Sequence, residues 1–126
     1  MKLKNETLSK NFLIYGFGKS GISSLKYLKK KNRCFIFDDD KKKIKNKYKK
    51  FFISKSKLLN NNFDYIVISP GININRCQLS NYLKKNQKKV ITDFDIFYKF
   101  NPEVLTITIT GTNGKSTTSK LLYDIL

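Results

Sequence analysis

The chain has 126 residues, 40% of them hydrophobic, and carries a formal charge of +17 with no histidine. That is enough for one domain with a real core and too little for a large nucleotide-driven enzyme. The composition argues against a disordered chain, no apolar run approaches the ~20 residues of a membrane-spanning helix, and two cysteines without a histidine argue against a zinc centre or a cysteine–histidine catalytic pair.

The polar opening, Met1 to Lys10, has no signal-peptide core, so a cytoplasmic location is expected. Phe12-Leu13-Ile14-Tyr15 is a short continuous apolar run, the pattern of a buried parallel strand. Gly16-Phe17-Gly18-Lys19-Ser20-Gly21 follows at once and is a full G-x-G-x-x-G. Ile22, Leu25 and Leu28 then recur at helical spacing until Lys29-Lys30-Lys31-Asn32. Cys34-Phe35-Ile36-Phe37 is a second buried strand that ends at Asp38. Strand, glycine loop, helix, strand and acid in that order describe a dinucleotide-binding half. Gly16 permits the tight turn, Gly18 lets the backbone approach a phosphate, and Gly21 lets the helix sit close to the strand. Asp38 lies where it reaches a ribose hydroxyl. The structural alternative is a plain glycine turn with Asp38 to Asp40 capping the next element.

Lys41 to Lys50 reads as a solvated surface, and Phe51-Phe52-Ile53 as a third strand. Asp64 to Ile68 is a fourth strand, with Ser69-Pro70-Gly71 at its C-terminal end, where ligands of open α/β sheets gather. Leu79, Tyr82 and Leu83 give the next helix an apolar face, and Lys89-Val90-Ile91 forms a short fifth strand. Thr92 or Asp93 caps a helix expected to bury Phe94 and Phe97. Cys34 and Cys77 are expected to be buried or half-buried free thiols. Asn101-Pro102 breaks the helix and marks a domain boundary, giving units 1–101 and 102–126.

Beyond it Leu105, Ile107 and Ile109 alternate with threonines, a strand periodicity that runs into Gly111-Thr112-Asn113-Gly114-Lys115-Ser116-Thr117. Leu121, Leu122, Ile125 and Leu126 then form a helical stripe. A tight glycine loop between a strand and a helix converges backbone N–H groups on an anion. Lys115 adds a point charge for the outer phosphates, and the Ser116 hydroxyl suits Mg²⁺. The general P-loop pattern has a glycine where Ile109 stands, so this loop is tighter than the common form. A simple Gly-Thr-Asn-Gly turn is the structural alternative.

The positive charge is nearly all lysine, with only Arg33 and Arg76 as arginines. Arginine forks would be expected at a nucleic-acid interface, so a solvated lysine surface is the expectation, with no specific nucleic acid as partner. The charge still attracts anionic ligands such as nucleotides.

A Rossmann-like glycine loop, then Ser69-Pro70-Gly71-Ile72, then the 111–117 loop, resembles the Mur ligases of peptidoglycan synthesis. The glycine–lysine loop is shared with folylpolyglutamate synthases, but those usually place a glycine between the lysine and serine, and here Ser116 follows Lys115 directly. Ser-Pro-Gly-Ile together with Thr92-Asp93-Phe94-Asp95-Ile96-Phe97 is most similar to the D-glutamate-adding branch. The resemblance implies an α/β fold: a Rossmann-like parallel sheet with flanking helices, followed by the first strand, P-loop and helix of a second, ATPase domain. It implies that Gly16, Gly18, Lys19, Ser20, Gly21, Asp38, Asp39, Ser69, Pro70 and Gly71 hold the UDP of UDP-N-acetylmuramoyl-L-alanine. It implies that Gly111 to Thr117 bind ATP, with Lys115 catalytic and Ser116 on Mg²⁺, and that D-glutamate is the second substrate. The family often has Thr-Arg after the strand-ending aspartate, where this chain has Asp39-Asp40. Further Mg²⁺ ligands, a modified lysine and a third domain are needed for the family reaction. The 126 residues alone are therefore expected not to ligate, and the complete protein to be a monomer. From the first loop alone, an NAD(P)-binding oxidoreductase domain is the main alternative.

Overall fold

The computed structural model describes residues 9–40, 42 and 45–126. Its centre is a four-stranded, wholly parallel sheet in the order β2-β1-β3-β4. The strands are β1 (Asn11–Tyr15), β2 (Arg33–Phe37), β3 (Tyr65–Ile68) and β4 (Val90–Ile91). The apolar runs become strands because both sheet faces are covered, so successive side chains all need an apolar partner. Phe12 and Ile14 join Leu25, Leu28, Ile36, Val67 and Ile96 on one face. Leu13 and Tyr15 join Phe37, Leu58, Phe63, Ile66, Leu79 and Leu83 on the other.

Helices α1 (Lys19–Leu28) and α4 (Asp93–Phe100) supply the first layer. Short helices α2 (Lys55–Leu59) and α3 (Ser80–Lys85) supply the second. Helix α4 begins with a reciprocal capping box. Thr92 Oγ1 accepts from Asp95 N, and the Asp95 carboxylate accepts from Thr92 N at 2.7 Å. Two orphan N–H groups of the helix start are satisfied in this way. Cys34 is buried and Cys77 half-buried, both as free thiols.

Three expectations change. Phe51-Phe52-Ile53 is not a strand: a 3₁₀-helix spans Asn46–Phe51, and Phe52 makes only an isolated bridge to Ile36. The 3₁₀ turn seats Tyr48 in the core, which leaves one residue of extended backbone beside β2. The expectation for Lys41 to Lys50 falls partly outside the described residues, at 41, 43 and 44. Helix α4 buries Ile96, while Phe94 is 70% exposed and Phe97 42% exposed. Apolar groups surround this short helix, and contact with α1 selects Ile96 as the inward side.

The expected strand over 104–110 has no ladder partner among the described residues. Leu105 is 97% exposed and Ile107 63% exposed. Alternation alone does not make a strand; inter-strand hydrogen bonds do. Helix α5 (Lys115–Ile125) forms as expected, without a buried residue.

Candidate functional site: a glycine loop at the sheet's switch point

The chain leaves β1, forms β2 on one side, then crosses to β3 on the other. The reversal opens a crevice beyond the C-terminal ends of β1 and β3, the place where such sheets bind ligands. The 16–21 loop and the 69–71 turn flank it. They are tied together, since Ser69 Oγ donates to Gly16 O at 2.8 Å and Ser69 N donates to Tyr15 O.

The glycines divide by role. Gly16 sits at φ +89°, and a Cβ there would lie 2.8 Å from the Ser69 Cβ. A Cβ on Gly21 would lie 2.1 Å from Gly16 O, so only glycine lets α1 start this close to β1. These two build the turn. Gly18 differs: a Cβ on it meets nothing within 4 Å. Its smallness serves no internal contact and leaves open room over the first turn of α1. No side chain caps that helix at Gly18, and the N–H groups of Lys19 and Ser20 have no acceptor among the described residues. Orphan donors at a helix N-terminus, with the dipole behind them, attract an anion. Lys19 is exposed beside them.

Asp38 is buried, and both its oxygens accept from backbone: Oδ2 from Phe17 N at 2.6 Å, Oδ1 from Asp40 N at 2.8 Å. The expected ligand contact is therefore first a brace that fixes the glycine loop. Asp39 is the exposed carboxylate, and Tyr15 Oη donates to it at 2.8 Å. Burial, together with Cys77 and Asp39, pushes the Tyr15 hydroxyl far above its ordinary pKa. Ser20 Oγ donates to Asp93 Oδ2 at 2.5 Å, tying the loop to the start of α4. Pro70 and Gly71 are exposed at the same edge. Hydrogen bonds thus tie Ser69 to Gly16, Asp38 to Phe17 and Ser20 to Asp93, while Gly18 and Lys19 stand exposed on the same loop. Sequence reasoning missed Tyr15 and the Ser20–Asp93 bond. Tyr15 reads only as apolar strand, although a tyrosine just before a glycine loop places a hydroxyl near the cleft.

The second loop makes its own turn. Gly114 is left-handed, at φ +76°, and starts α5 without a side-chain cap. Lys115 Nζ folds back to donate to the carbonyls of Gly111 and Thr112. Residues 111–117 are all exposed. The hydrogen bonds joining 104–126 to the rest of the described chain are Val104 N to Asn101 O and the Tyr98–Thr106 hydroxyl pair. Ser116 offers one hydroxyl, and no group of three or more acidic, histidine or cysteine ligands occurs among the described residues. That donor set fits Mg²⁺ held mainly by phosphate and water, as is usual for this ion.

A family model described as the N-terminal domain of MurD-like Mur ligases matches residues 10–92, which hold the whole sheet and the entire cleft. The chain belongs to this MurD-like family. The UDP-N-acetylmuramoylalanine–D-glutamate ligase of Rickettsia bellii is 33% identical over 120 residues, covering 92% of this chain and 26% of the relative. Those of Caldicellulosiruptor saccharolyticus and Streptococcus pyogenes are 31% and 30% identical over 96% and 100% of this chain, and 29% and 30% of their own lengths. The chain thus spans about a quarter to three tenths of the curated relatives it matches. Among its described residues no helix is long and apolar enough to cross a membrane.

Proposed function

We propose that this chain is the N-terminal part of a cytoplasmic ATP-dependent ligase that joins D-glutamate to UDP-N-acetylmuramoyl-L-alanine. The observation that carries the proposal is the open first turn of α1 over Gly18, at the switch point of a MurD-like domain. The N–H groups of Lys19 and Ser20 take the diphosphate, and the Lys19 ammonium adds charge. Asp38 holds the loop in register, Asp39 faces the nucleoside, and Ser69, Pro70 and Gly71 wall the cleft.

Residues 1–101 form the UDP-substrate unit, and 102–126 begin the ATP-binding unit. The break at Asn101-Pro102, and the hydrogen bonds Val104 N to Asn101 O and Tyr98 to Thr106 that join 104–126 to the rest of the described chain, support this division. Gly111, Thr112, Asn113, Gly114 and Thr117 shape the loop whose helix-start N–H groups receive phosphate. Lys115 leaves the Gly111 and Thr112 carbonyls for the outer phosphates, and Ser116 supplies a hydroxyl to Mg²⁺. When bound, Mg²⁺ neutralises charge on the transferring phosphoryl group. ATP gives up its γ-phosphoryl group to the alanyl carboxylate and leaves as ADP; the D-glutamate amine attacks the resulting acyl phosphate, loses a proton, and phosphate leaves as the amide bond forms. Most of this acceleration is positioning and charge neutralisation.

The 126 residues alone bind but do not ligate. Purified chain incubated with ATP, Mg²⁺, UDP-N-acetylmuramoyl-L-alanine and D-glutamate is expected to release no substrate-dependent ADP. Joined to the remainder of a family ligase, it is expected to turn over, and Lys115→Ala to lower that rate at least ~100-fold. A Lys115→Ala chimera with full turnover contradicts the ATP-loop assignment.

A further inference from the structure

Tyr15 is fully buried at the last position of β1, paired with Phe37 and Ile68 in the ladder. Its ring packs edge-on against Phe37, with centroids 5.4 Å apart. Its buried hydroxyl, at the C-terminal end of β1, nonetheless donates to Asp39, an exposed residue 24 positions along the chain. Two consecutive aspartates therefore split the work. Asp38 spends both oxygens on the N–H groups of Phe17 and Asp40, while among the described residues Asp39 accepts from the core hydroxyl of Tyr15.

We propose that Tyr15 is a positioning residue for the nucleoside end of the cleft: its buried hydroxyl holds the Asp39 carboxylate as a fixed acceptor for a hydrogen-bond donor on the bound nucleoside. The inference rests on the UDP-binding reading above and adds the device that orients the contact. A carboxylate accepts only, and one bond from Tyr15 leaves most of its lone pairs available. It therefore favours a ligand O–H or N–H, supplied by the ribose diol or by the uracil imide. Holding an exposed side chain in its bound rotamer before the ligand arrives removes an ordering cost from binding.

Calorimetric titration with UDP tests this in four proteins: the unchanged chain, Tyr15→Phe, Asp39→Ala and the double variant. Tyr15→Phe keeps the ring and leaves no buried polar atom stranded, so the fold is retained. It is expected to weaken UDP about 3- to 10-fold, Asp39→Ala at least as much, and the double variant no more than Asp39→Ala alone. Repeating the series with CDP and with 2′,3′-dideoxy-UDP separates the base from the ribose: the one whose deficit against UDP disappears in Asp39→Ala names the donor. Tyr15→Phe binding UDP within twofold of the unchanged chain overturns the inference and leaves the site reading standing. A Tyr15→Phe deficit that persists undiminished beside Asp39→Ala also overturns it, because the hydroxyl then acts through the fold. An unchanged chain that takes up no UDP removes the site reading itself, and this inference with it.

Discussion

At the scale of single residues, the glycine loop separates positions packed against the chain from an open one. Gly21→Ala drives a Cβ toward Gly16 O, 2.1 Å away, and neither backbone has room to retreat. It is expected to cost ~2–3 kcal/mol or more in urea unfolding. Gly18→Ala meets no atom of the chain and is expected to change stability by less than ~1 kcal/mol. It should nonetheless weaken UDP binding, because the added methyl occupies the approach to the helix start. Equal loss of stability at both sites would remove the distinction. The G-x-G-x-x-G was legible in the sequence, but its three glycines look alike there. Only the distances to Ser69 and to Gly16 O assign them different tasks. Cys34 gives a pH signature. Burial pushes its thiol up to about 11 from an ordinary value of 9.0. The unfolded chain therefore loses this proton first, and the stabilisation present below pH 9 fades as pH rises toward 11. Tyr15 and Tyr82, also raised by burial, add slopes of the same sign. Urea midpoints measured from pH 8 to 11 should fall, and less steeply in Cys34→Ala. Identical slopes would show that Cys34 is as accessible folded as unfolded.

At the scale of elements, strands covered on both faces announce themselves as apolar runs, which is why β1, β2 and β3 were legible. A cap at Thr92 or Asp93 was legible because side-chain oxygens there answer a local need, and Thr92 takes that place. Elements settled by distant partners were not. The run Phe94-Asp95-Ile96-Phe97 presents apolar groups around the helix, and contact with α1 chooses Ile96. Phe51 to Ile53 have strand-like side chains, but the neighbouring 3₁₀ turn takes the backbone. Over 104–110 the alternation is strand-like, and the ladder that would realise it is absent among the described residues. Amide exchange should register this contrast. Phe12 to Tyr15, in the sheet centre, are expected to exchange at rates near the global unfolding limit, and Val104 to Leu126 orders of magnitude faster. Comparable protection in the two segments would mean that 104–126 packs on the first unit.

At the scale of the molecule, the 126-residue chain carries a net charge of +17, and the open helix start in the crevice of its MurD-like domain suits an anion. The lysine excess gives long-range attraction to any nucleotide and selects none of them. In the proposed function, selection comes from the crevice at the switch point, where loop, turn and paired aspartates meet. The order of the motifs was enough to suggest that crevice. The bracing role of Asp38 and the anchoring of Asp39 were not readable, because hydrogen bonds from Phe17 N and from a core tyrosine depend on how the strands assemble. The central claim is that this crevice receives a UDP-sugar. Calorimetric titration of the chain at physiological salt, with UDP-N-acetylmuramoyl-L-alanine and separately with NAD, tests it most directly. Saturable one-to-one binding of the UDP-sugar, with none of NAD, is the predicted result. Tighter binding of NAD would contradict it.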